Sequence, residues 1–151
     1  MMEFEPDRFQ QMAGLVCYYN GCKFHYLYVS HDADLGKHIR IMSCLPDQLQ
    51  SDVFSAPAGI PTGAPVHLRV EVDFERLWFA YRIEGREWSR LPGPLDASIL
   101  SDEAAPPGTP NFTGAFVGVC CQDLAGTCRP ADFDHFVYRE RTYRAEPFAE
   151  D

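Results

Sequence analysis

No apolar run in this sequence approaches the roughly 20 residues that a membrane-spanning helix needs, so no membrane helix is expected. Basic side chains are scarce, with 13 Lys and Arg against 22 Asp and Glu and a formal net charge of −9. A field of that sign repels a phosphate backbone and disfavours nucleic acid as a partner. A basic N-terminal segment is also missing. Met1-Met2-Glu3-Phe4-Glu5-Pro6-Asp7 is acidic where a secretory leader carries positive charge before an apolar stretch, so a cytoplasmic location is expected. No C-x-x-C pair occurs among Cys17, Cys22, Cys44, Cys120, Cys121 and Cys128. Cys17, Cys22 and a histidine would form a zinc site only at a spacing unlike the standard ligand patterns. The six thiols are read as reduced and buried, acting as small hydrophobes, and no metal or other cofactor is expected.

What is present describes a folded domain. The chain has 151 residues, of which 46% are hydrophobic and 13% aromatic, which excludes general disorder and suits a single domain. Period-two alternation dominates. Met12 to Tyr19 reads as a strand closed by the hairpin signal Asn20-Gly21, and Phe24 to His31 as the next, followed by Lys37 to Cys44. In Val66 to Val72, the residues Val66, Leu68, Val70 and Val72 point inward. Arg76 to Ile83 follows after a tight turn, with Leu77, Phe79 and Tyr81 opposite Trp78, Ala80 and Arg82. Asp96 is placed to cap a short helical turn reaching Leu100. Gly114 to Cys121 and Asp132 to Glu140 close the chain, leaving a charged tail at 141–151. Many short strands with hardly any helix predict an all-β antiparallel sandwich.

Chemistry-bearing residues are less decisive. Asp123, Asp132 and Asp134 are the obvious carboxylates for glycoside hydrolysis, yet the alternation of Asp132 and Asp134 with Phe133 favours a solvated or turn-bonded role for those two. His25, His31, His38, His67 and His135 lie on separate strands, without the H-x-H or H-E-x-x-H spacing of a metal site. Ser30-His31-Asp32 has the residue types of a catalytic triad, but consecutive residues cannot converge as one. Trp78 is a candidate sugar contact, because flat aromatic rings stack on pyranose faces and its alternation places it on the outside of its sheet. Trp88 reads as a core anchor. Phe112, after a proline-rich loop and before a strand, is a large apolar residue at a loop tip.

The runs QQMAGLVCYYN, YLYVSHDADLGK, IRIMSC, LRVEVD, GPLDASILSDE, FTGAFVGVCCQD and ADFDHFVYRE together resemble the C-terminal β-sandwich domain of glycoside hydrolase family 43 β-xylosidases, from about Phe9 to Glu140. The fold that this implies is a concanavalin A-like jelly roll over residues 1–140. The resemblance also implies that sequence forming the first strands of the family's sandwich does not precede the QQMAGLVCYYN block here. In the family a five-bladed propeller carries the catalytic carboxylates and can hold a divalent cation such as calcium. The sandwich packs on that propeller and sends a loop phenylalanine over the xylose pocket, a role that falls on Phe112, with Phe116 as the alternative. A non-catalytic accessory domain is therefore expected. Its partners would be a family 43 propeller, xylo-oligosaccharide and further copies of itself. An independent carbohydrate-binding sandwich and a gene remnant are the other readings. Phe74 stands where the family's hairpin has Gly, which implies backbone strain if the turn needs a positive φ.

Overall fold

The computed structural model describes residues 1–45, 53–104 and 114–140. Twelve strands are present among them: β1 (Met2–Glu3), β2 (Gln11–Asn20), β3 (Lys23–Asp32), β4 (Gly36–Cys44), β5 (Val53–Phe54), β6 (Ala58–Gly59), β7 (Val66–Asp73), β8 (Arg76–Ile83), β9 (Ser89–Arg90), β10 (Leu95–Asp96), β11 (Phe116–Asp123) and β12 (Asp132–Phe133). They form two antiparallel sheets. The first has the order β10-β8-β7-β1-β12, with β9 also paired to β8; the second runs β11-β2-β3-β4-β5, with β6 also paired to β4. The expected antiparallel β-sandwich is what the chain forms.

The sheets face one another across a core that alternation specifies. Ala13, Leu15 and Cys17 of β2, Leu27 and Val29 of β3, and Ile39 and Ile41 of β4 meet Val66, Leu77, Phe79 and Ile83 of the first sheet. Burial of this kind stabilises by roughly 25 cal/mol per Å² of apolar surface, which is why the period-two rows hold their register. Strand β3 is buried on both faces: Tyr26 and Tyr28 on the side away from Leu27 are also buried, their rings stacked with centroids 5.2 Å apart. The Tyr26 hydroxyl donates across β2 to the Cys120 carbonyl of β11 at 3.2 Å. At Gly14, between those strands, an added Cβ would come within 1.9 Å of the Leu27 carbonyl oxygen, so no other residue fits.

Buried polar groups tie the sandwich at its ends. His25 is hydrogen-bonded through Nδ1 to Ser43 Oγ at 2.7 Å and through Nε2 to the Asp96 carbonyl at 2.9 Å. A carbonyl only accepts, so Nε2 carries the proton and Ser43 donates to Nδ1. Lys37 Nζ, itself buried, donates to Glu5 at 2.5 Å and to the Ala64 carbonyl at 3.0 Å, fastening the N-terminal segment to the stretch between β6 and β7. Buried Lys23 donates to the Ser101 carbonyl at 2.6 Å and lies over the Tyr19 ring, whose hydroxyl bonds to Asp102. Asp96 caps a 3₁₀ turn at Ala97–Leu100, its side chain accepting from the Ser98 amide at 2.9 Å.

Several expectations need correction. The last strand covers only Asp132–Phe133 rather than Asp132 to Glu140; Phe136, Val137 and Tyr138 lie outside it and are exposed. Their consecutive β-branched and aromatic residues read as strand, yet no neighbouring strand pairs with them among the described residues. Val72 has the inward parity but is 51% exposed, although its register partner Leu77 is fully buried in the core. The thiols are not uniformly buried: Cys17 and Cys44 are, whereas Cys22, Cys121 and Cys128 are exposed and free. Cys22 sits in the hairpin turn, Cys128 in a loop, and Cys121 on an edge strand whose inward side is open. Phe74 does adopt a positive φ, +50°, in the turn between β7 and β8. Glycine is the usual occupant of that position in a two-residue hairpin turn.

Candidate functional site

The carboxylates singled out by sequence belong to two different sheets. Asp123 ends β11 in the second sheet and organises the following turn, accepting from the amides of Ala125 (2.9 Å), Thr127 (3.1 Å) and Arg129 (2.8 Å) and from the Thr127 hydroxyl (2.7 Å). Those donors, the Arg129 amide foremost, hold its carboxyl below the usual range. A carboxylate engaged in that way is a structural hub for residues 124–129. Asp132 and Asp134 lie at the edge of the first sheet, where Asp132 is the register partner of Glu3 and Asp134 binds His135 at 2.8 Å. With Met1, Glu3 and Phe133 they line an open hollow of about 340 Å³. Glu3, Asp132 and Asp134 of this acidic recess are not grouped so as to hold a metal ion, and no group of three or more His, Cys, Asp or Glu side chains that could do so occurs among the described residues.

The histidines are dispersed as well. His25 is a core group, and burial lowers its pKa, with the Asp96 carbonyl acting in the opposite sense. His38 is lowered chiefly by burial too, and its Nδ1 bonds to the Gly36 carbonyl at 3.2 Å. Cys17 and Cys22 are separated by the strand end, one thiol buried in the core and the other exposed, so the zinc arrangement does not form.

Phe112, in the proline-rich connection that precedes β11, lies outside the described residues. The ends of that connection are well placed, however. It leaves at Ser101 and Asp102, held by Lys23 and Tyr19, and returns into Phe116, the register partner of Tyr18. Both ends therefore stand at the β2–β3 hairpin end of the sandwich. Phe116 itself is 59% exposed.

Trp78 lies on the outward face of the first sheet, half-buried, with the Arg90 guanidinium 4.9 Å from its ring centroid. The pairing of β7, β8 and β9 builds a second feature beside it. Arg69, Ala80 and Arg90 share one cross-strand row, since Arg69 pairs with Ala80 and Ala80 with Arg90. His67 pairs with Arg82, and one step beyond the Ser89–Tyr81 pair Trp88 comes level with Arg82. Trp88 is accordingly no core anchor. It is 39% exposed, with Arg69 5.5 Å and Arg82 5.3 Å from its ring. The β8–β9 turn carries it to the outside, with its ring packed beside arginine stems instead of aliphatic core. Glu71 bridges Arg69 at 2.5 Å and Arg90 at 3.5 Å, while His67 pairs with Glu84 at 2.8 Å. Reading strands singly misses this assembly, because it depends on which strand β9 joins and in what register. The available signal was parity alone, which puts Arg69, Trp78, Ala80 and Arg82 on outward positions.

Comparison with known proteins adds the family. Residues 1–139 match the model of the β-xylosidase C-terminal concanavalin A-like domain. The β-xylosidase of Bacillus subtilis is 37% identical over 145 residues, covering 93% of this chain and 26% of the relative. A xylosidase/arabinosidase of Humicola insolens is 38% identical over 143 residues, covering 92% and 27%. Among solved structures, a xylan β-1,4-xylosidase from Bacillus halodurans superposes with a TM-score of 0.81 at 34% identity, covering 88% of this chain and 25% of that one. The chain thus spans about a quarter of the length of the proteins it matches.

Proposed function

This chain belongs to the family of β-xylosidase C-terminal concanavalin A-like domains of glycoside hydrolase family 43, and from that premise we propose that it serves a catalytic propeller as its accessory sandwich. It corresponds to the non-catalytic part of such enzymes. The observation that carries the proposal is the match over residues 1–139, reproduced as a fold at a TM-score of 0.81. In the assembled enzyme, hydrolysis of xylo-oligosaccharides would take place on the propeller. The sandwich would supply shape and stability, with Phe112 closing the edge of the sugar pocket as the family resemblance implies. An apolar side chain there excludes water and limits the pocket to chain ends. The fixed ends of its connection, at Lys23 and Phe116, support such a role by holding the loop at one end of the sandwich.

Association is the direct test. A family 43 propeller from a relative such as the Bacillus subtilis protein, produced without its own sandwich, is mixed with this chain and examined by sedimentation velocity. A heavier 1:1 species supports the proposal, whereas two independent boundaries at micromolar concentration would contradict it. In an associated pair, Phe112→Ala should lower kcat/KM for xylo-oligosaccharides by about tenfold, the scale of one apolar pocket contact.

A further inference from the structure

Both tryptophans of the chain, Trp78 and Trp88, lie on the outward face of the first sheet, and each is covered by arginine. They are separated by four residues along β8 and one strand across, roughly 14 Å from strand geometry. Between them sits the small Ala80, with Arg69 and Arg90 in its own row and Arg82 in the next. Three guanidiniums thus surround two aromatic faces on a chain whose net charge is −9.

The charge balance of the patch favours an anion. Glu71 occupies Arg69 and Arg90 together, and Glu84 is taken by His67. Arg82 lies 5.3 Å over the Trp88 ring and is in no ion pair within 4 Å among the described residues, although its charge also reaches Glu84. A guanidinium presents a planar fork that matches a carboxylate bidentately, and stacking on an indole holds that fork in place. A highly charged polyanion would meet the repulsion of the whole chain. A sparsely charged one feels mainly the local arginines, since exposed charges farther than about 8–10 Å are screened at physiological salt.

We propose that this face binds a uronic-acid-bearing oligosaccharide. One pyranose ring packs against the exposed part of Trp88, and the uronate carboxylate is taken by Arg82, whose guanidinium lies 5.3 Å from that ring's centroid. The choice of a xylan backbone to carry the uronate rests on the accessory-domain reading above; the recognition of a carboxylate on a sugar rests on the patch alone. The site is a non-catalytic one on the sandwich, and its role is to hold acidic branched substrate close to an associated enzyme.

The test uses the full 151-residue chain and follows tryptophan fluorescence and heat of binding. The probes are xylotriose carrying one glucuronic acid branch, unbranched xylotetraose, free glucuronate and an oligoglutamate peptide. The branched acid should quench fluorescence and bind at least tenfold more tightly than xylotetraose, with affinity falling as salt is raised. Arg82→Gln, checked for an unchanged circular dichroism spectrum, should abolish that preference. Arg8→Gln, which makes the same charge change away from this face, should leave it intact. Equal affinity for branched and unbranched sugars, or equal loss in both variants, would overturn the proposal. So would oligoglutamate binding as tightly as the branched sugar, or silence from every probe. Each of these failures leaves the association experiment with a propeller unaffected, so the two readings fail separately.

Discussion

At the scale of single residues, burial and not chemistry separates the titratable groups. Desolvation pushes the Cys17 thiol up to about 12, so almost no thiolate exists at neutral pH, and its side chain is enclosed in the core. Cys22 and Cys128 are exposed. Timed alkylation with iodoacetamide at pH 8, read by mass spectrometry of peptides, should label Cys22 and Cys128 first and Cys17 only on unfolding. Rapid labelling of Cys17 in the native protein would show that the β2 face is open. The histidines set the mild-acid limit. Burial lowers both His25 and His38, so the unfolded chain binds protons that the native state does not. Their contribution to stability is complete above an unfolded pKa near 6.5 and is lost as pH falls below it toward the folded values. The urea midpoint should therefore drop between pH 7.5 and 5.5, with a shallower drop in His38→Gln. Carboxylates held low by hydrogen bonds, such as Asp32 and Asp123, act only at more acid pH. A midpoint that is flat across this range would contradict the buried, neutral assignment of His25.

At the scale of elements, strands with one buried face were legible in the sequence almost to the residue. Val66 to Val72 and Arg76 to Ile83 alternate because one side meets the core, and the observed β7 and β8 follow that pattern. Double burial of β3 is less visible, since alternation along Phe24 to His31 marks two faces without saying that both are covered, and Tyr26 reaches a strand far away in sequence. Trp88 was misread for the same kind of reason: a local run says that a tryptophan follows a turn, but only the β8–β9 pairing says which side of the sheet it reaches. The segment from Asp134 to Glu140 has strand-like composition, but strand formation also needs a partner edge. Gly14 provides the sharpest test of the packing between β2 and β3. Gly14→Ala drives a Cβ into the Leu27 carbonyl, and separation of the two backbones should cost about 3 kcal/mol or prevent folding. Equilibrium denaturation checks this; an unchanged midpoint would mean that the strands pair differently at this point.

At the scale of the whole molecule, the sandwich is asymmetric in how well it is covered. Strand β3 is buried on both sides, while β11 presents Val119 and Phe116 to solvent and the segment after β12 presents Phe136, Val137 and Tyr138. An eight-residue edge strand with apolar side chains is a ready template for another chain. Replacing Val119 by Lys should therefore lessen any concentration-dependent association seen by light scattering while leaving the core untouched. Family membership could be read in the sequence from several blocks in series, because those blocks are the strands of the sandwich themselves. The arginine and tryptophan face could not be read in that way, since it arises only when three strands lie side by side. The domain corresponds to the non-catalytic part of family 43 enzymes, and the contribution proposed for it is a surface for a catalytic propeller. The most direct measurement is complementation: turnover of xylo-oligosaccharides by a family 43 propeller made without its own sandwich, with and without this chain at saturating concentration. A clear rise in kcat/KM that is reduced by Phe112→Ala is the predicted result, and a rate that is indifferent to the added chain would contradict the accessory role.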